Sequence, residues 1–549
     1  MCFHNGDVMA VSRFTNEFTY KVFVESGNEE EFDKLFEDAA ADAKREFGKK
    51  HPMHIGSKEV LSSELLEERS PIDRSIVIGY FQKGTREHAR QAISAAKEAF
   101  IQWSLTDYKS RIKIFRKAVQ LFRESKFKLA AILSYENGKS RYESIGEVDE
   151  AIDFLNYYAD EMENNKGYTR KTLLKESTKR VEAGFQGAPS SAENIRIALK
   201  PYGVFGVIAP FNFPISISTG MSTGAMITGN TIVFKPSSSD NMSMLTGLEI
   251  YKLFKSAGLP DGVFNYITGP GAEVGDELAV NPNVSGIVFT GSRNTGLGMV
   301  AKTFGAGNQK VFIVEMGGKN PAIISKYADI DSAVEGTSSA AFGFAGQKCS
   351  ALSRIYVHES IKEQYLSKLI EKVRSMKIGD PIKKANFIGP LISESAYKRY
   401  IEYIEKAKSA GRILYGGKKV NAGLDGIYVE PAIVEIRHDH ELTHKELFVP
   451  LVTIETYRDF KEALSMANDV EYGLTAALYS KNKHEIKEFS NAIQAGVVYI
   501  NRKVSATTGA MVGVHTFVGW KGSGLTGKGT GSRLYLQQFL REQSIAISV

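Results

Sequence analysis

The sequence predicts an α/β protein built around a doubly wound parallel sheet. Between residues 202 and 314, five short apolar segments alternate with four segments of helical length. The apolar segments are 204–209, 231–234, 263–267, 285–289 and 311–314, and the helical ones are 215–229, 239–257, 271–280 and 294–306. Continuous apolar runs are typical of strands buried on both faces, and their alternation with helices produces parallel βαβ units. A second α/β unit is expected after residue 320, where helical and apolar segments alternate again.

Length and composition describe an ordinary globular chain. Its 549 residues are too many for one core, so we expect about two or three domains. The net charge of +6 comes from dispersed lysines, which does not indicate nucleic-acid binding. Two cysteines cannot form a disulfide framework, the N-terminus lacks the apolar core of a signal peptide, and no apolar run is long enough for a bilayer. We therefore expect a cytoplasmic protein.

The N-terminal part of the chain is predicted to be helical and to carry no catalytic or binding residues. Residues 28–47 suggest a charged surface helix that belongs to an arm and not to a core. An amphipathic helix follows Thr85, because apolar residues recur there at steps of three and four, and further helices are expected at 110–125 and 126–137. Gly138 is a suitable C-cap for the last of these, and another helix is expected to begin at Val148.

Two further regions are predicted to be extended. In 166–200, polar residues alternate with single apolar ones, which suits either a mobile surface hairpin or an oligomerisation arm. Residues 507–531 contain eight glycines, which is typical of a loop that folds over a site. The chain is expected to close with a helix at 533–541 and an apolar strand at 545–549, for which another subunit could supply the partner sheet.

The ends of the five predicted strands carry residues suited to a ligand. In doubly wound sheets, ligands bind just beyond the carboxyl ends of the strands. Lys235 and Glu315 each end an apolar strand directly, so they are either solvated charges or functional groups. Asn212 lies in a stiff turn between two prolines, and the turn from Gly291 to Gly296 leads into a helix whose first N–H groups could bind a phosphate.

A loop holding Cys349 lies between a predicted helix ending near Gly346 and a predicted strand beginning at Ser353. A nucleophile would sit at such a junction, but so could a buried, inert thiol, and the loop alone leaves both open. His438, His440 and His444 have the spacing of metal ligands, yet no further ligand is close in sequence, so a solvated loop is favoured over a metal site.

Six short motifs, taken in order, resemble the aldehyde dehydrogenase superfamily from about residue 55 to 549. They are PFNFP at 210–214, FKP at 234–236, FTGS at 289–292, EMGGK at 315–319, GQKC at 346–349 and ELF at 446–448. Within this family, GFAGQKCSA at 343–351, NRK at 501–503 and TGAMVG at 508–513 are most similar to the branch that oxidises L-glutamate γ-semialdehyde, the open form of 1-pyrroline-5-carboxylate. The resemblance implies an aldehyde dehydrogenase fold, with a Rossmann-like NAD-binding domain, an α/β catalytic domain and a small β oligomerisation arm.

The resemblance also implies a division of the chain. Residues 1–54 would form an N-terminal arm, 55–165 and 200–314 the NAD(P)-binding domain, and 315–524 the catalytic domain. Residues 166–199 and 525–549 would be oligomerisation segments. The expected partners are a small-molecule aldehyde and further copies of the chain, in a homo-oligomer that is neither membrane-bound nor bound to nucleic acid.

The family pattern assigns catalytic roles to three residues. Cys349 as thiolate would attack the aldehyde carbon, and the Asn212 amide with the Cys349 backbone N–H would hold the oxyanion. Hydride transfer to the nicotinamide leaves a thioester, and Glu315 would then activate the water that hydrolyses it. The product would be L-glutamate, as in proline degradation.

The same resemblance assigns the binding residues. Lys235 would bind the adenosine ribose, the turn of Gly291, Ser292 and Gly296 would approach the pyrophosphate, and Glu446 with Phe448 would hold the nicotinamide riboside. The substrate carboxylate would meet the Ser350 hydroxyl and the N–H groups of Gly509 and Ala510. Phe213 and Phe517 would flank the aliphatic part of the substrate, or they simply belong to the core.

Departures from the family pattern concern specificity. Ser238 stands where a glutamate is usual, and because a carboxylate there repels a 2′-phosphate, we expect NADP to be accepted beside NAD. Val449 replaces a usual glycine, HTFVGW at 515–520 differs from the usual QPFGGF, and extra residues near Ser505 precede Gly509. A dehydrogenase of another aldehyde therefore stays open, as does an inert relative. A cysteine hydrolase is disfavoured, since no histidine stands at a comparable strand end.

Overall fold

The computed structural model describes residues 20–174, 193–238 and 242–548. The helices are α1 Tyr20–Glu25, α2 Glu29–Glu46, α3 Arg86–Trp103, α4 Tyr108–Glu124, α5 Lys126–Asn137, α6 Arg141–Asn164, α7 Ser216–Ile227, α8 Met244–Ser256, α9 Asp276–Val280, α10 Arg293–Gly305, α11 Ile330–Phe342, α12 Lys362–Ser375, α13 Glu394–Ala410, α14 Phe460–Asn468 and α15 Lys483–Ala492. The strands are β1 Lys49–His51, β2 Met53–Ile55, β3 Lys58–Val60, β4 Leu65–Arg69, β5 Val77–Gln82, β6 Thr169–Leu174, β7 Glu193–Pro201, β8 Val204–Ile208, β9 Thr231–Lys235, β10 Phe264–Tyr266, β11 Val284–Thr290, β12 Val311–Glu315, β13 Asn320–Ile324, β14 Leu352–His358, β15 Arg412–Tyr415, β16 Lys419–Val420, β17 Tyr428–Val429, β18 Ala432–Glu435, β19 Leu451–Tyr457, β20 Tyr472–Gly473, β21 Thr475–Tyr479, β22 Val497–Ile500, β23 Trp520–Lys521 and β24 Leu540–Ser548.

The first large sheet confirms the predicted doubly wound architecture. Its strand order is β12-β11-β8-β9-β10-β2-β3, and the strands from β8 to β12 run parallel. Every residue of β8, β9 and β10 is buried, as their continuous apolar runs require. The strand order reverses between β8 and β11, which is where such sheets open a ligand crevice beyond their carboxyl ends.

The second large sheet carries the loop of Cys349. Its order is β15-β18-β19-β14-β13-β21-β22, parallel except for the edge strand β15. The cysteine lies between α11 and β14, as predicted, and β14 pairs with β13 and β19. Because the loop of Cys349 leads into the middle of this sheet, its position is fixed by strands on both sides.

The C-terminal strand corrects two predictions. The segment predicted as a helix at 533–541 contains only a 3₁₀ turn, Leu536–Phe539, and β24 begins at Leu540. β24 pairs antiparallel with β7 of the same chain, from Leu540 opposite Pro201 to Ser548 opposite Glu193, so its partner is not supplied by another subunit. Nine paired positions outweigh local helical propensity here. β6 completes this three-stranded sheet; residues 175–192 and 549 of the two predicted oligomerisation segments lie outside the described residues.

Two helices in the front region also differ from expectation. α2 is not a surface arm, because Phe32 and Phe36 are fully buried in the main core, and the Phe32 ring lies 5.7 Å from that of Phe127 in α5. α6 begins at Arg141 and not at Val148. Its first two turns bury charged side chains, so the apolar periodicity that marks a helix is absent from them.

Within the residues that can be placed, no helix is both long and apolar enough to cross a membrane.

Candidate active site

Two adjoining cavities meet at Cys349 and Glu315. The larger, of about 1570 Å³, opens beyond the carboxyl ends of the first sheet, and the smaller, of about 250 Å³, extends from it toward α6 and the glycine-rich segment 507–531. Both cavities are lined by Cys349, Glu315 and Phe517. A molecule in either cavity can therefore reach the thiol, which is what a reaction between two bound partners requires.

The backbone before Cys349 is held in an uncommon conformation. Phe344, Ala345 and Gly346 have successive φ values of 51°, 50° and 67°, in the left-handed region that costs non-glycine residues energy. Such conformations persist where the surrounding structure enforces them, often at functional sites. Burial raises the pKa of the half-buried Cys349 thiol to about 12, and the nearby carboxyls of Glu446 and Glu315 act in the same direction.

Asn212 lies against the loop of Cys349. Its side chain is 4% exposed, and Nδ2 donates a hydrogen bond to the carbonyl of Gln347 at 3.2 Å. The turn between two prolines predicted for this residue therefore places its amide beside the loop of Cys349, in the wall of the larger cavity.

Glu315 ends β12, opposite Thr290 of β11, and points to the junction of the cavities. Its Oε2 accepts a hydrogen bond from the Gly519 N–H at 3.0 Å, and burial raises its pKa to about 8. Gly519 belongs to the glycine-rich segment, and Phe517 of the same segment lines both cavities. The segment does fold over the site, as predicted.

Lys235 is a buried ammonium at the end of β9. Its Nζ donates to the Pro236 carbonyl and to Ser238 Oγ, both at 3.1 Å, and burial lowers its pKa to about 8. No carboxylate of the described residues forms an ion pair with it. Ser238 donates in turn to the Gly269 carbonyl and lies behind Lys235, whereas Ser237 faces the cavity.

Only part of the predicted phosphate-binding turn lines the larger cavity. Gly291 and Ser292 line the larger cavity, and Ser292 caps α10 by accepting from the Thr295 N–H at 3.2 Å. Gly296 does not line it; a Cβ there would lie 2.6 Å from the sulfur of Met316, so this glycine permits close packing of α10. The N-terminus of α10 nevertheless opens toward the cavity, where a phosphate would be favoured.

Glu446 and Phe448 line the opposite side of the larger cavity. Glu446 Oε1 accepts from the Gly318 N–H at 2.9 Å, and burial raises its pKa to about 7. Gly317 has φ of +67°, and a Cβ there would lie 2.6 Å from both carboxylate oxygens of Glu446. A buried ammonium, an open helix N-terminus, a carboxyl group and an aromatic ring together fit the ribose, phosphate and ring groups of a dinucleotide.

The smaller cavity brings together all five predicted substrate residues: Ser350, Gly509, Ala510, Phe213 and Phe517. Ser350 is buried, and its carbonyl accepts a hydrogen bond from the hydroxyl of Thr507 at 2.7 Å. Aromatic rings and backbone N–H groups around a small volume suit a short aliphatic chain with a polar end.

Sequence reasoning missed the acidic face of α6. Glu143, Glu147 and Glu150 line the smaller cavity, at the i, i+4 and i+7 spacing that places residues on one helical face. This spacing was a usable signal, but a helix starting at Val148 would not contain the first two. Glu147 pairs with Lys139, and Glu143 pairs with Lys348, the residue before Cys349.

The three histidines near residue 440 are used in hydrogen bonds. His438 contacts the Tyr356 hydroxyl at 2.9 Å and Asp469 at 3.1 Å through its two ring nitrogens. His444 Nε2 lies 2.8 Å from the His438 carbonyl, and His440 Nδ1 accepts from the Leu442 N–H at 3.2 Å. These contacts hold the loop that precedes Glu446.

Comparison with known proteins agrees with this arrangement. Residues 60–545 match the model of the aldehyde dehydrogenase family. A 1-pyrroline-5-carboxylate dehydrogenase of Geobacillus sp. (strain WCH70) is 35% identical over 503 residues, which are 91% of this chain and 93% of the relative.

Two solved structures are also similar over nearly the whole chain. A point mutant of Thermus thermophilus 1-pyrroline-5-carboxylate dehydrogenase superposes with a TM-score of 0.88 at 32% identity, covering 98% of this chain and 100% of that one. A 1-pyrroline-5-carboxylate dehydrogenase from Thermus with bound NAD gives a TM-score of 0.87 at 32% identity, with the same coverage. The fold, the paired cavities and these matches lead to one conclusion: the chain belongs to the aldehyde dehydrogenase family.

Proposed function

We propose that the protein oxidises L-glutamate γ-semialdehyde to L-glutamate with NAD, as the names of its relatives suggest. The observation that carries this proposal is the smaller cavity. Gly509 and Ala510 lie in its wall, where their backbone N–H groups would bind the carboxylate; Cys349 lies at its junction with the cofactor cleft, and the rings of Phe213 and Phe517 also line it. A short aldehyde with a carboxylate at its far end matches these groups.

In the proposed reaction, the Cys349 thiol loses its proton to water in the cavity, and the resulting thiolate sulfur attacks the aldehyde carbon and forms a hemithioacetal. The Asn212 amide and the Cys349 backbone N–H stabilise the oxyanion. Support for this role comes from the contact of Asn212 with the carbonyl of Gln347, two residues before the nucleophile.

NAD, when bound, supplies the acceptor for the hydride that leaves the substrate carbon. The remaining chemistry belongs to the chain: the resulting thioester stays on Cys349, and Glu315 takes a proton from the water that hydrolyses it. The raised pKa of Glu315, about 8, suits a carboxylate that must accept a proton near neutral pH.

For the cofactor, Lys235 would bind the adenosine ribose, Gly291 and Ser292 the pyrophosphate, and Glu446 with Phe448 the nicotinamide riboside. Ser238 places a hydroxyl and no carboxylate beside Lys235, so we propose that NADP is accepted beside NAD. Gly296 lies behind the cavity wall, so its role would be to shape the wall, whereas Ser238 would act on the ribose site through its contact with Lys235.

For the assembly, we propose a cytoplasmic homo-oligomer with the division of the chain given by the resemblance. The cofactor domain is 55–165 with 200–314, and α2 of the preceding segment packs into its core. The catalytic domain is 315–524, and the oligomerisation segments are 166–199 and 525–549. Ile545 and Ile547 of β24, 37% and 59% exposed, lie on one face of the three-stranded sheet and would be covered by a second copy.

A substrate panel tests the function. The purified enzyme is assayed for NADH formation with L-glutamate γ-semialdehyde, succinic semialdehyde and pentanal. We expect kcat/KM for the glutamate semialdehyde to exceed that for pentanal by about 10- to 150-fold, since an anchored carboxylate contributes roughly 1.5–3 kcal/mol through hydrogen bonds to a charged group. Equal values would indicate a general aldehyde dehydrogenase, and no turnover with any aldehyde would indicate an inert relative.

A further inference from the structure

The guanidinium of Arg502 lies behind the proposed carboxylate anchor, which is formed by the backbone N–H groups of Gly509 and Ala510. Its Nη1 donates to the Thr508 carbonyl at 2.7 Å and its Nη2 to the Gly509 carbonyl at 2.8 Å. Thr508, Gly509 and Ala510 line the smaller cavity, while Arg502 does not. The arginine therefore holds the anchor from the side away from the substrate.

The two carbonyls that Arg502 binds belong to the peptide units of the anchor itself. The Thr508 carbonyl shares a peptide unit with the Gly509 N–H, and the Gly509 carbonyl shares one with the Ala510 N–H. A cation bound to an amide oxygen withdraws electron density from the amide, so its N–H becomes a stronger donor. The two hydrogen bonds from Arg502 therefore polarise both of the N–H groups that are proposed to bind the carboxylate.

The positive charge of Arg502 is not cancelled nearby. No carboxylate among the described residues lies within ion-pair distance of its guanidinium, which packs 4.6 Å from the centre of the Tyr499 ring. The lysines that line the smaller cavity are different: Lys139 pairs with Glu147, and Lys348 pairs with Glu143. Unlike these two lysines, Arg502 has no carboxylate partner among the described residues, so its charge remains available to an anion.

Gly509 fits this arrangement. Its φ of +86° strains any other residue, and a Cβ there would lie 3.2 Å from Arg502 Nη2. Glycine at this position lets the guanidinium approach both carbonyls closely.

We propose that Arg502 is a positioning residue that determines specificity for aldehydes carrying a carboxylate. It orients and polarises the Gly509 and Ala510 N–H groups without touching the substrate. This inference rests on the proposed function, because it concerns how the same cavity recognises its substrate.

The test compares three variants on two aldehydes, L-glutamate γ-semialdehyde and the uncharged pentanal. Arg502→Gln removes the charge and the paired hydrogen bonds, Arg502→Lys keeps the charge on a single donor group, and Lys503→Gln removes an exposed charge one residue away as the matched control. For Arg502→Gln we expect kcat/KM to fall about 10- to 100-fold with the semialdehyde, mainly through KM, and to change less than threefold with pentanal. Arg502→Lys should recover part of the loss, and Lys503→Gln should match the wild type.

Two results would overturn the inference: a loss of equal size on both aldehydes, which indicates a merely structural role, or an unchanged preference for the semialdehyde. If Arg502→Gln does not fold, Arg502→Lys against Lys503→Gln decides the question, and a lysine variant with the full wild-type preference contradicts the proposal. The preference of the wild-type enzyme between the two aldehydes distinguishes a failure of this inference from a failure of the proposed function. Wild-type enzyme without preference for the semialdehyde refutes the proposed function, whereas wild-type preference that survives in Arg502→Gln refutes only the role of Arg502.

Discussion

The carboxylate of Glu315 and the backbone N–H of Gly519 are joined by a hydrogen bond of 3.0 Å. It connects the end of the edge strand β12 to the glycine-rich segment that covers the site, and a Cβ at Gly519 would lie 2.9 Å from the same carboxylate oxygen. The bond stabilises the ionised carboxylate, but burial outweighs it, so the pKa of Glu315 is raised to about 8.

We predict that hydrolysis of the thioester speeds up with increasing pH. Only the ionised carboxylate accepts a proton from water, and with a raised pKa this form is scarce below about pH 8. The rate should fall about tenfold per pH unit well below the pKa and level off above it. Stopped-flow measurement of the deacylation step from about pH 6 to 9 checks this. A flat profile would show that Glu315 does not limit this step.

Replacing Asn212 by alanine should slow formation of the acyl-enzyme. The change removes one of the two proposed oxyanion donors, for which losses of about 10²–10³ in rate are typical. The pre-steady-state NADH burst measures this step, and NAD binding by fluorescence serves as the control, since cofactor affinity should stay as in the wild type. A burst of unchanged rate contradicts the role.

Ser238→Glu tests the basis of cofactor selection. Ser238 Oγ lies 3.1 Å from Lys235 Nζ, so a glutamate there adds a carboxylate beside the proposed ribose site. Its repulsion of a 2′-phosphate should lower kcat/KM for NADP about tenfold or more, while NAD is affected less than threefold. Equal losses with both cofactors would point to a disturbed site. A wild type that does not use NADP at all would show that Ser238 is insufficient for its acceptance.

The buried pair of Lys139 and Glu147 should matter for stability. Both side chains are fully buried, and Lys139 also donates to the Asn212 carbonyl. Lys139→Met leaves the Glu147 carboxylate without its cation, and removing one partner of a buried pair costs about 3–5 kcal/mol of unfolding free energy. Lys368→Met, which breaks the exposed pair with Asp331, is the matched control and should cost less than about 1 kcal/mol. Urea unfolding of both variants measures the difference; similar values would contradict the assignment.

Strand ends made most of the site predictable from the sequence. Lys235, Glu315 and Asn212 each follow a continuous apolar run, and parallel strands bring their carboxyl ends to one edge. A strand that is buried on both faces is a continuous apolar run in the sequence. The parallel strands of this sheet, and the helices between them, can therefore be predicted from the sequence alone.

Other features depend on tertiary contacts that leave no local pattern. The acidic face of α6 is buried through ion pairs with Lys139 and Lys348, which makes its first turns resemble a surface segment. β24 owes its conformation to nine pairings with β7, and the contacts of Arg502 with two carbonyls exist only once the segment 502–510 has folded back. Ser238 and Gly296 are predicted from the sequence to bind the cofactor, but neither lines the larger cavity.

The central claim is that a glutamate semialdehyde is oxidised through a thioester on Cys349. The variant Glu315→Gln tests this claim most directly. This variant keeps an acceptor for the Gly519 N–H and removes the base. Mixed with NAD and L-glutamate γ-semialdehyde, it should release about one equivalent of NADH per site and then turn over roughly 10²–10⁴-fold more slowly. Peptide mass spectrometry of the quenched enzyme should find one γ-glutamyl group, attached to Cys349. Steady turnover at the wild-type rate, or NADH release with Cys349 unmodified, would contradict the account.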